Sequence, residues 1–267
     1  MIRELTLTLA AILVAGAAQA ADVMRMAVTT SFHNSGLAEK LLPEIAADLD
    51  LEVQLLVVGT GQALKLGRQG DVDAILVHAR AAEEKFLAEG FGTHRREIMY
   101  NDFVVIGPKA DPAGVSGAKT AAEALTMIAG AKADFVSRGD DSGTHKKELS
   151  LWKTAGQDAG SFGDWYKAVG AGMGASLNAA CGMNGYIVSD RASWLNFGNK
   201  GDLALLFAGD PVLFNQYAFI PVNPSVHAHA KNDLAMKLEG WLTSPKAAQI
   251  INDYKINGEG LFVFNAK

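Results

Sequence analysis

A single cysteine, Cys181, stands among 267 residues, so no internal disulfide is available. In an oxidising compartment a lone thiol persists best when buried. Metal-ligand clustering is also missing. The six histidines are scattered, and His227 and His229 stand by themselves in a Pro/Asn-rich loop, where they read as solvated side chains. Positive charge is not in excess: the formal net charge is −5, which argues against a nucleic-acid partner. Beyond the first twenty residues no apolar run is long enough to cross a bilayer. There are no internal repeats. Nothing implies a cofactor or a resident metal.

What is present begins with an export signal. Arg3 supplies a basic start, Leu5 to Ala17 a short apolar stretch, and Ala18-Gln19-Ala20 a small-residue cleavage site. Residues 1–20 are therefore expected to be a signal peptide. No cysteine follows the cleavage point, so no lipid anchor is expected. Removing this segment takes away Arg3 and Glu4, which leaves the net charge unchanged. An acidic chain can still bind an anion, because local donors decide that.

Short β runs alternate with helical stretches. Met24–Thr29, Leu51–Val58 and Ala74–His78 read as strands. Ser35–Asp48, Gly61–Gln69 and Ala81–Glu89 read as the helices that follow them. The series argues for an α/β chain with mostly parallel pairing and flanking helices. Met99–Pro108 reads as a longer strand. Helices are expected over Thr120–Ala129, Thr144–Ala155, Ser161–Val169, Ser176–Cys181 and Arg191–Phe197, with strands at Ala133–Val136, Tyr186–Ser189 and Leu203–Phe207. Phe214–Asn223 mirrors the earlier long strand. Two such strands, far apart in sequence, suit a chain that crosses between two lobes twice. Ala228–Tyr254 reads as two helices broken at Ser244-Pro245. The expected lobes are 21–102 with 218–267, and 103–217.

Four strand-to-helix junctions carry small donors. They are Thr29-Thr30-Ser31, Gly59-Thr60-Gly61, Ser137 to Thr144, and Gly172 to Ser176 with Ala175. Backbone N–H groups at a helix start have no partner in their own helix, and the helix dipole adds partial positive charge there. The third junction, Ser137-Arg138-Gly139-Asp140-Asp141-Ser142-Gly143-Thr144, adds hydroxyls and a guanidinium. Such donors suit a small, multiply charged anion. Each junction by itself is ordinary helix capping. Together, at the carboxyl ends of strands, they describe a ligand site.

These motifs carry a resemblance. Thr29-Thr30-Ser31, VGTGQALKLGRQGDVDAILVHA (58–79), MYNDFVVIGP (99–108), SRGDDSGTHKKELSLWK (137–153), GMGASLN (172–178), SDRASWLNF (189–197) and FNQY (214–217) resemble the tungstate-binding periplasmic proteins of ABC importers. The likeness extends over essentially the whole mature chain. It implies the bilobed type II binding-protein fold, two mixed sheets flanked by helices, and capture of tungstate, or molybdate, for a membrane permease. No enzymatic activity is implied, and a periplasmic monomer is expected. Oxyanion contacts would fall at Thr29, Thr30, Ser31, Thr60, Gly61, Arg138, Ser142, Gly143 and Thr144, with Ala175 and Ser176 as further positions. Val28 replaces the first Thr of the family's Thr-Thr-Thr-Ser signature. Ala179–Gly185 departs from the family's helix-favouring pattern.

Two other readings stay open at this level. Arg138-x-Asp140-x-Ser142-Gly143-Thr144 also resembles the loop of phosphate-binding proteins. Phosphate keeps a proton near pH 7, so an Asp140 facing the ligand would favour it. If Asp140 instead pairs with Arg138 or a helix-start amide, tungstate stands. An exported hydrolase built on Ser142, His145 and Asp140 or Asp141 is the other reading. Lys65 and Arg68 read as solvated helix charges. Tyr100, Asn101 and Tyr217 read as hinge packing. Glu83, Glu84 and Glu89 read as exposed carboxylates available to a permease.

Overall fold

A computed structural model describes residues 21–267; the export signal expected over 1–20 lies outside them. Strand β1 (Asp22–Thr29) runs into a short helix, α1 (Thr30–Asn34), and then α2 (Ala38–Leu49). β2 (Leu51–Val58), α3 (Thr60–Gln69), β3 (Ala74–Val77) and α4 (Arg80–Ala88) continue the alternation. The long β4 (Arg96–Pro108) leads to α5 (Ala121–Ala131), β5 (Phe135–Ser137), α6 (Gly143–Thr154), β6 (Tyr166–Ala168), α7 (Met173–Met183), β7 (Tyr186–Asp190), α8 (Arg191–Asn196) and β8 (Leu203–Phe207). β9 (Phe214–Pro221) precedes α9 (Asn232–Leu242) and α10 (Pro245–Asp253), followed by the short β10 (Lys255–Ile256), β11 (Glu259–Gly260) and β12 (Val263–Phe264).

Ten of the described strands form one continuous mixed sheet in the order β2-β1-β3-β9-β4-β7-β5-β6, with β8 and β12 also on β4, while β10 and β11 pair only with each other. β1 pairs in parallel with β2 and β3, and β5 in parallel with β6 and β7. β4 ties the two groups together. Arg96 to Asp102 pair with β9, while Phe103 to Ile106 pair with β7. β4 is thus hydrogen-bonded in both halves, and β9 returns the chain within the first half, starting with Phe214 opposite Asp102.

Each half buries apolar residues on both of its faces. In the first half, Val28, Leu76 and Phe219 pack with α2, α9 and α10, while Ile75, Val77 and Ile220 pack with α3 and α4. In the second, Phe103, Val105 and Phe135 pack with α5 and α6, while Val104, Ile106 and Val136 pack with α7 and α8. Gly67 lets α3 lie close on the sheet: a Cβ there would meet Ile75 Cδ1 at 2.5 Å.

Several expectations are corrected. The helix expected over Ser35–Asp48 begins only at Ala38, as α2, and a separate short helix, α1, precedes it over Thr30–Asn34. The helix expected over Ser161–Val169 is instead a short turn followed by edge strand β6. Tertiary packing decides this: Phe162, Trp165 and Tyr166 gather around Trp152, with Phe162 4.9 Å from it, and Tyr166 stacks on Phe135 at 5.7 Å. Cys181 is half-buried rather than buried. His227 and His229 are not free in solvent. Their Nε2 atoms donate to the carbonyls of Arg68 and Gly70 at 2.9 and 2.8 Å, pinning their loop to the end of α3. Glu83 is fully buried, accepting from Ala79 N–H at 2.5 Å and Arg95 Nε at 2.6 Å. Glu84 pairs with Arg80, and Glu89 with Arg68, which also lies over Phe86 and Phe91. The unusual Ala179–Gly185 stretch carries α7 to Met183, where Asn184 turns the chain in the left-handed region at φ 50°. Gly185 then passes so near Asp134 that a Cβ would lie 2.9 Å from its carbonyl oxygen.

Candidate functional site

The carboxyl ends of β1, β2, β3, β5 and β7 all open toward the place where the two halves meet. Helix α3 starts there from the first half with Thr60, and α6 from the second with Gly143. Both residues are buried, and a Cβ on Gly143 would lie 3.1 Å from Thr60 Oγ1. Gly61, on the exposed first turn of α3, comes close to Asp141 of the opposite half: its Cβ would sit 3.4 Å from Asp141 Oδ2. The positive ends of two helices therefore confront one another, which isolated helices would resist and an anion between them would relieve.

Arg138 leads into the α6 junction. Its side chain is 5% exposed. Nη2 donates to Asp140 Oδ2 at 2.5 Å and Nη1 to Thr144 Oγ1 at 3.4 Å, while Nε has no partner among the described residues. Asp140 also accepts from Ser142 N–H at 3.2 Å through Oδ1, so both of its oxygens are engaged. Burial pushes its carboxyl up, but the Ser142 hydrogen bonds and the Arg138 guanidinium outweigh that and hold it below the usual range. Ser142 caps α6 by accepting from His145 N–H at 3.2 Å.

The loop is held from behind by Glu148, a buried carboxylate on α6. It accepts from Ser137 Oγ at 2.6 Å, Tyr166 OH at 2.6 Å and Trp152 Nε1 at 3.1 Å. These contacts bind α6 to the ends of β5 and β6, which sets where Arg138 leaves the sheet.

Across the cleft, Thr29 caps α1 by accepting from Phe32 N–H at 3.2 Å, and its hydroxyl lies 3.0 Å from Ser31 Oγ. Ser31 Oγ is also 3.0 Å from His78 Nε2 and 3.2 Å from Tyr217 OH. Thr30 is half-buried on the first turn of α1. Tyr217, on β9, is fully buried, with its ring packed on His78 and Phe262 and its hydroxyl in this network. Asn101 accepts from Asn215 Nδ2 at 2.8 Å beside the point where β4 changes partner. Tyr100 packs on Phe214 at 5.2 Å.

His78 escaped the sequence reading, although it lies at the end of the β3 run and at the carboxyl edge of the sheet. Its ring is 4.8 Å from that of Tyr217 and 6.3 Å from that of Phe103. Burial, with the nearby charges of Arg138 and Lys147, pulls its pKa down to about 4, so the imidazole is neutral. Its Nδ1 is buried with no partner among the described residues, and Thr60 Oγ1 shares that condition. Asp190 is fully buried too. It caps α8 through Oδ1, at 2.8 Å from Ser193 N, and Oδ2 has no partner among the described residues. Burial pushes its carboxyl up, against the pull of Ser193 and Arg138.

The fourth junction turns its hydroxyl back on its own backbone. Ser176 Oγ donates to the carbonyls of Ala171 and Gly172, both at 3.2 Å, and Ala175 is exposed on the first turn of α7. Its link to the arginine is Ala171 N–H, which donates to Arg138 O at 3.1 Å. Lys65 points to solvent. The hydrolase arrangement is not assembled. The His145 ring accepts from Asp141 N–H at 3.1 Å through Nδ1, so it faces the loop backbone rather than the Ser142 hydroxyl.

A mixed sheet shared by two halves, with helix starts from both closing on buried hydroxyls and an arginine, defines a binding protein of the type II periplasmic class. Residues 15–246 match the model of the PBP superfamily domain, and the chain belongs to that superfamily of solute-binding proteins. Among its relatives, the tungstate-binding protein TupA of Peptoclostridium acidaminophilum is 43% identical over 254 residues, 93% of this chain and 87% of that protein. The structure of the tungstate-binding protein TupA from Desulfovibrio alaskensis G20 is 47% identical. It covers 92% of this chain and 100% of its own, with a TM-score of 0.84. The tungstate ABC transporter structure from Geobacter sulfurreducens is 50% identical, covering 88% and 100%, with a TM-score of 0.81.

Proposed function

We propose that this protein captures tungstate, and molybdate as a near-identical dianion, between its two halves and hands it to the membrane permease of an ABC importer. Tungstate carries no proton near neutral pH, so it only accepts hydrogen bonds. The observation that carries the reading is the set of buried groups left unpartnered in both halves: Thr60 Oγ1 and His78 Nδ1 from one, packed against the start of α6 at Gly143, and Arg138 Nε from the other. The first-turn N–H groups of α3 and α6 add donors in the same place. We assign the oxyanion contacts to Thr29, Thr30, Ser31, Thr60, Gly61, Arg138, Ser142, Gly143 and Thr144, with Ala175 and Ser176 outside that cluster.

Phosphate is the second reading, and the orientation of Asp140 speaks against it. A protonated phosphate needs an acceptor, and the Asp140 oxygens are already turned to Arg138 and Ser142.

The lobes are taken as 21–102 with 218–267, and 103–217. The partner change of β4 between Asp102 and Phe103 supports the first boundary. Capture in an open cleft, closure about β4 and β9, and release at the permease form the cycle. A cleaved export signal, periplasmic residence and a monomeric state belong to the same proposal. Titration calorimetry with tungstate, molybdate, sulfate and phosphate tests it. One-to-one binding of the first two, at least tenfold tighter than the others, is expected; tighter phosphate binding would overturn it.

A further inference from the structure

We propose that His78 is a specificity-determining ligand contact, presenting a fixed Nδ1–H donor to the oxyanion from the first half of the molecule. This rests on the oxyanion reading above.

The proposed tautomer is the one that fits the hydroxyl network in the following arrangement. A neutral imidazole has one N–H and one lone pair. Tyr217 OH is fully buried and keeps its proton, because burial and the Asp190 charge push its pKa up. In that arrangement Ser31 Oγ, at 3.2 Å, takes that proton. Thr29 Oγ1 accepts from Phe32 N–H, and in the same arrangement its own hydroxyl proton goes to Ser31 Oγ at 3.0 Å. With both Ser31 lone pairs filled, the Ser31 proton points to His78 Nε2 at 3.0 Å. Nε2 is then the acceptor and Nδ1 carries the hydrogen.

That hydrogen emerges where the halves meet. Nδ1 and Thr60 Oγ1 both lie within 3.1 Å of the point where a Cβ on Gly143 would sit. Nδ1 has no acceptor among the described residues. A buried donor without a partner costs free energy that an anion oxygen would recover. Arg138 and Lys147 are the cations whose charges reach the ring, and both disfavour a second ring proton. The site therefore offers a neutral, directional donor with no added charge. This suits an unprotonated tetrahedral oxyanion, to which Nδ1 donates, and handicaps one whose own hydroxyl would face Nδ1–H donor to donor.

Calorimetry on the full chain with sodium tungstate tests this, using His78→Phe and His78→Asn. The phenylalanine keeps the packing on Tyr217 and Phe103 but has no donor. The asparagine amide places a donor near the Nδ1 position. Binding about tenfold weaker or more in His78→Phe, largely restored in His78→Asn, is expected. Equal affinity of His78→Phe and wild type would overturn the assignment alone; no tungstate binding by wild type would overturn the oxyanion reading with it. Ring ¹⁵N spectra of the unmutated protein give a readout independent of any variant's folding. A protonated Nδ1 and bare Nε2 in the tungstate complex support the assignment, and the opposite tautomer overturns it.

Discussion

Gly143 approaches His78 so closely that a Cβ on the glycine would lie 2.5 Å from the imidazole Cε1. The two residues come from opposite halves of the molecule, so this contact measures closure. Hydrogen is the only side chain that lets the start of α6 reach the ring.

Gly143→Ala is accordingly expected to hold the halves apart. Overpacking of this kind costs about 1–3 kcal/mol, so tungstate affinity should fall about tenfold or more while the ligand-free melting temperature stays near that of wild type. Calorimetry with parallel thermal denaturation checks both. Undiminished affinity would show that the ligand is held without this contact.

Arg138→Ala removes the guanidinium beside the site and leaves Asp140 without its ion-pair partner. Charge-assisted hydrogen bonds contribute about 1.5–3 kcal/mol, so tungstate binding should weaken at least about tenfold. Arg138→Lys should recover only part of this, since an ammonium cannot reproduce the planar fork that reaches Asp140 and Thr144 together. A folded Arg138→Ala protein with wild-type affinity would remove Arg138 from the site.

Glu148→Ala strands three donors, from Ser137, Trp152 and Tyr166. Leaving buried donors unsatisfied costs about 1–3 kcal/mol, which at this chain length lowers the melting temperature by about 2–12 °C. Calorimetric scanning checks the loss. Weaker tungstate binding should accompany it, because Ser137 adjoins Arg138.

His78 sets a pH dependence. Its folded pKa, about 4, lies below the ordinary value of 6.5. The unfolded chain therefore takes up the proton first as pH falls. The stability that His78 contributes is complete above pH 6.5 and is lost as pH falls toward 4. Glu83, Glu148 and Asp190, whose carboxyls burial pushes up, act in the opposite sense over part of this range. The comparison must therefore be between wild type and His78→Phe. The variant's melting temperature should fall less between pH 7 and pH 4, and identical profiles would contradict the prediction.

The α/β alternation was legible because its signals are local. Val and Leu runs at Leu51–Val58, Pro245 after Ser244 and the small residues before Thr60 and Gly143 each act within a few residues. Arg138 and the helix-start donors were legible for the same reason. Strand β6 was not, since its aromatic residues choose a strand only because Trp152 and Phe135 are there to pack against. Glu83, His227 and His229 misled the reading because polar side chains are judged exposed until a distant partner is seen.

By itself the sequence determined most of the α/β alternation, the junctions rich in donors and the family, because helix starts and strand runs are written in neighbouring residues. Only the tertiary structure decided which of those junctions face one another. It turned Asp140 onto Arg138 and the Ser142 amide, joined Ser31 to His78 and Tyr217 across 47 and 186 positions of chain, and brought Gly143 against the ring. Those are relations between distant segments, and burying the apolar faces of both halves around one shared strand is what creates them.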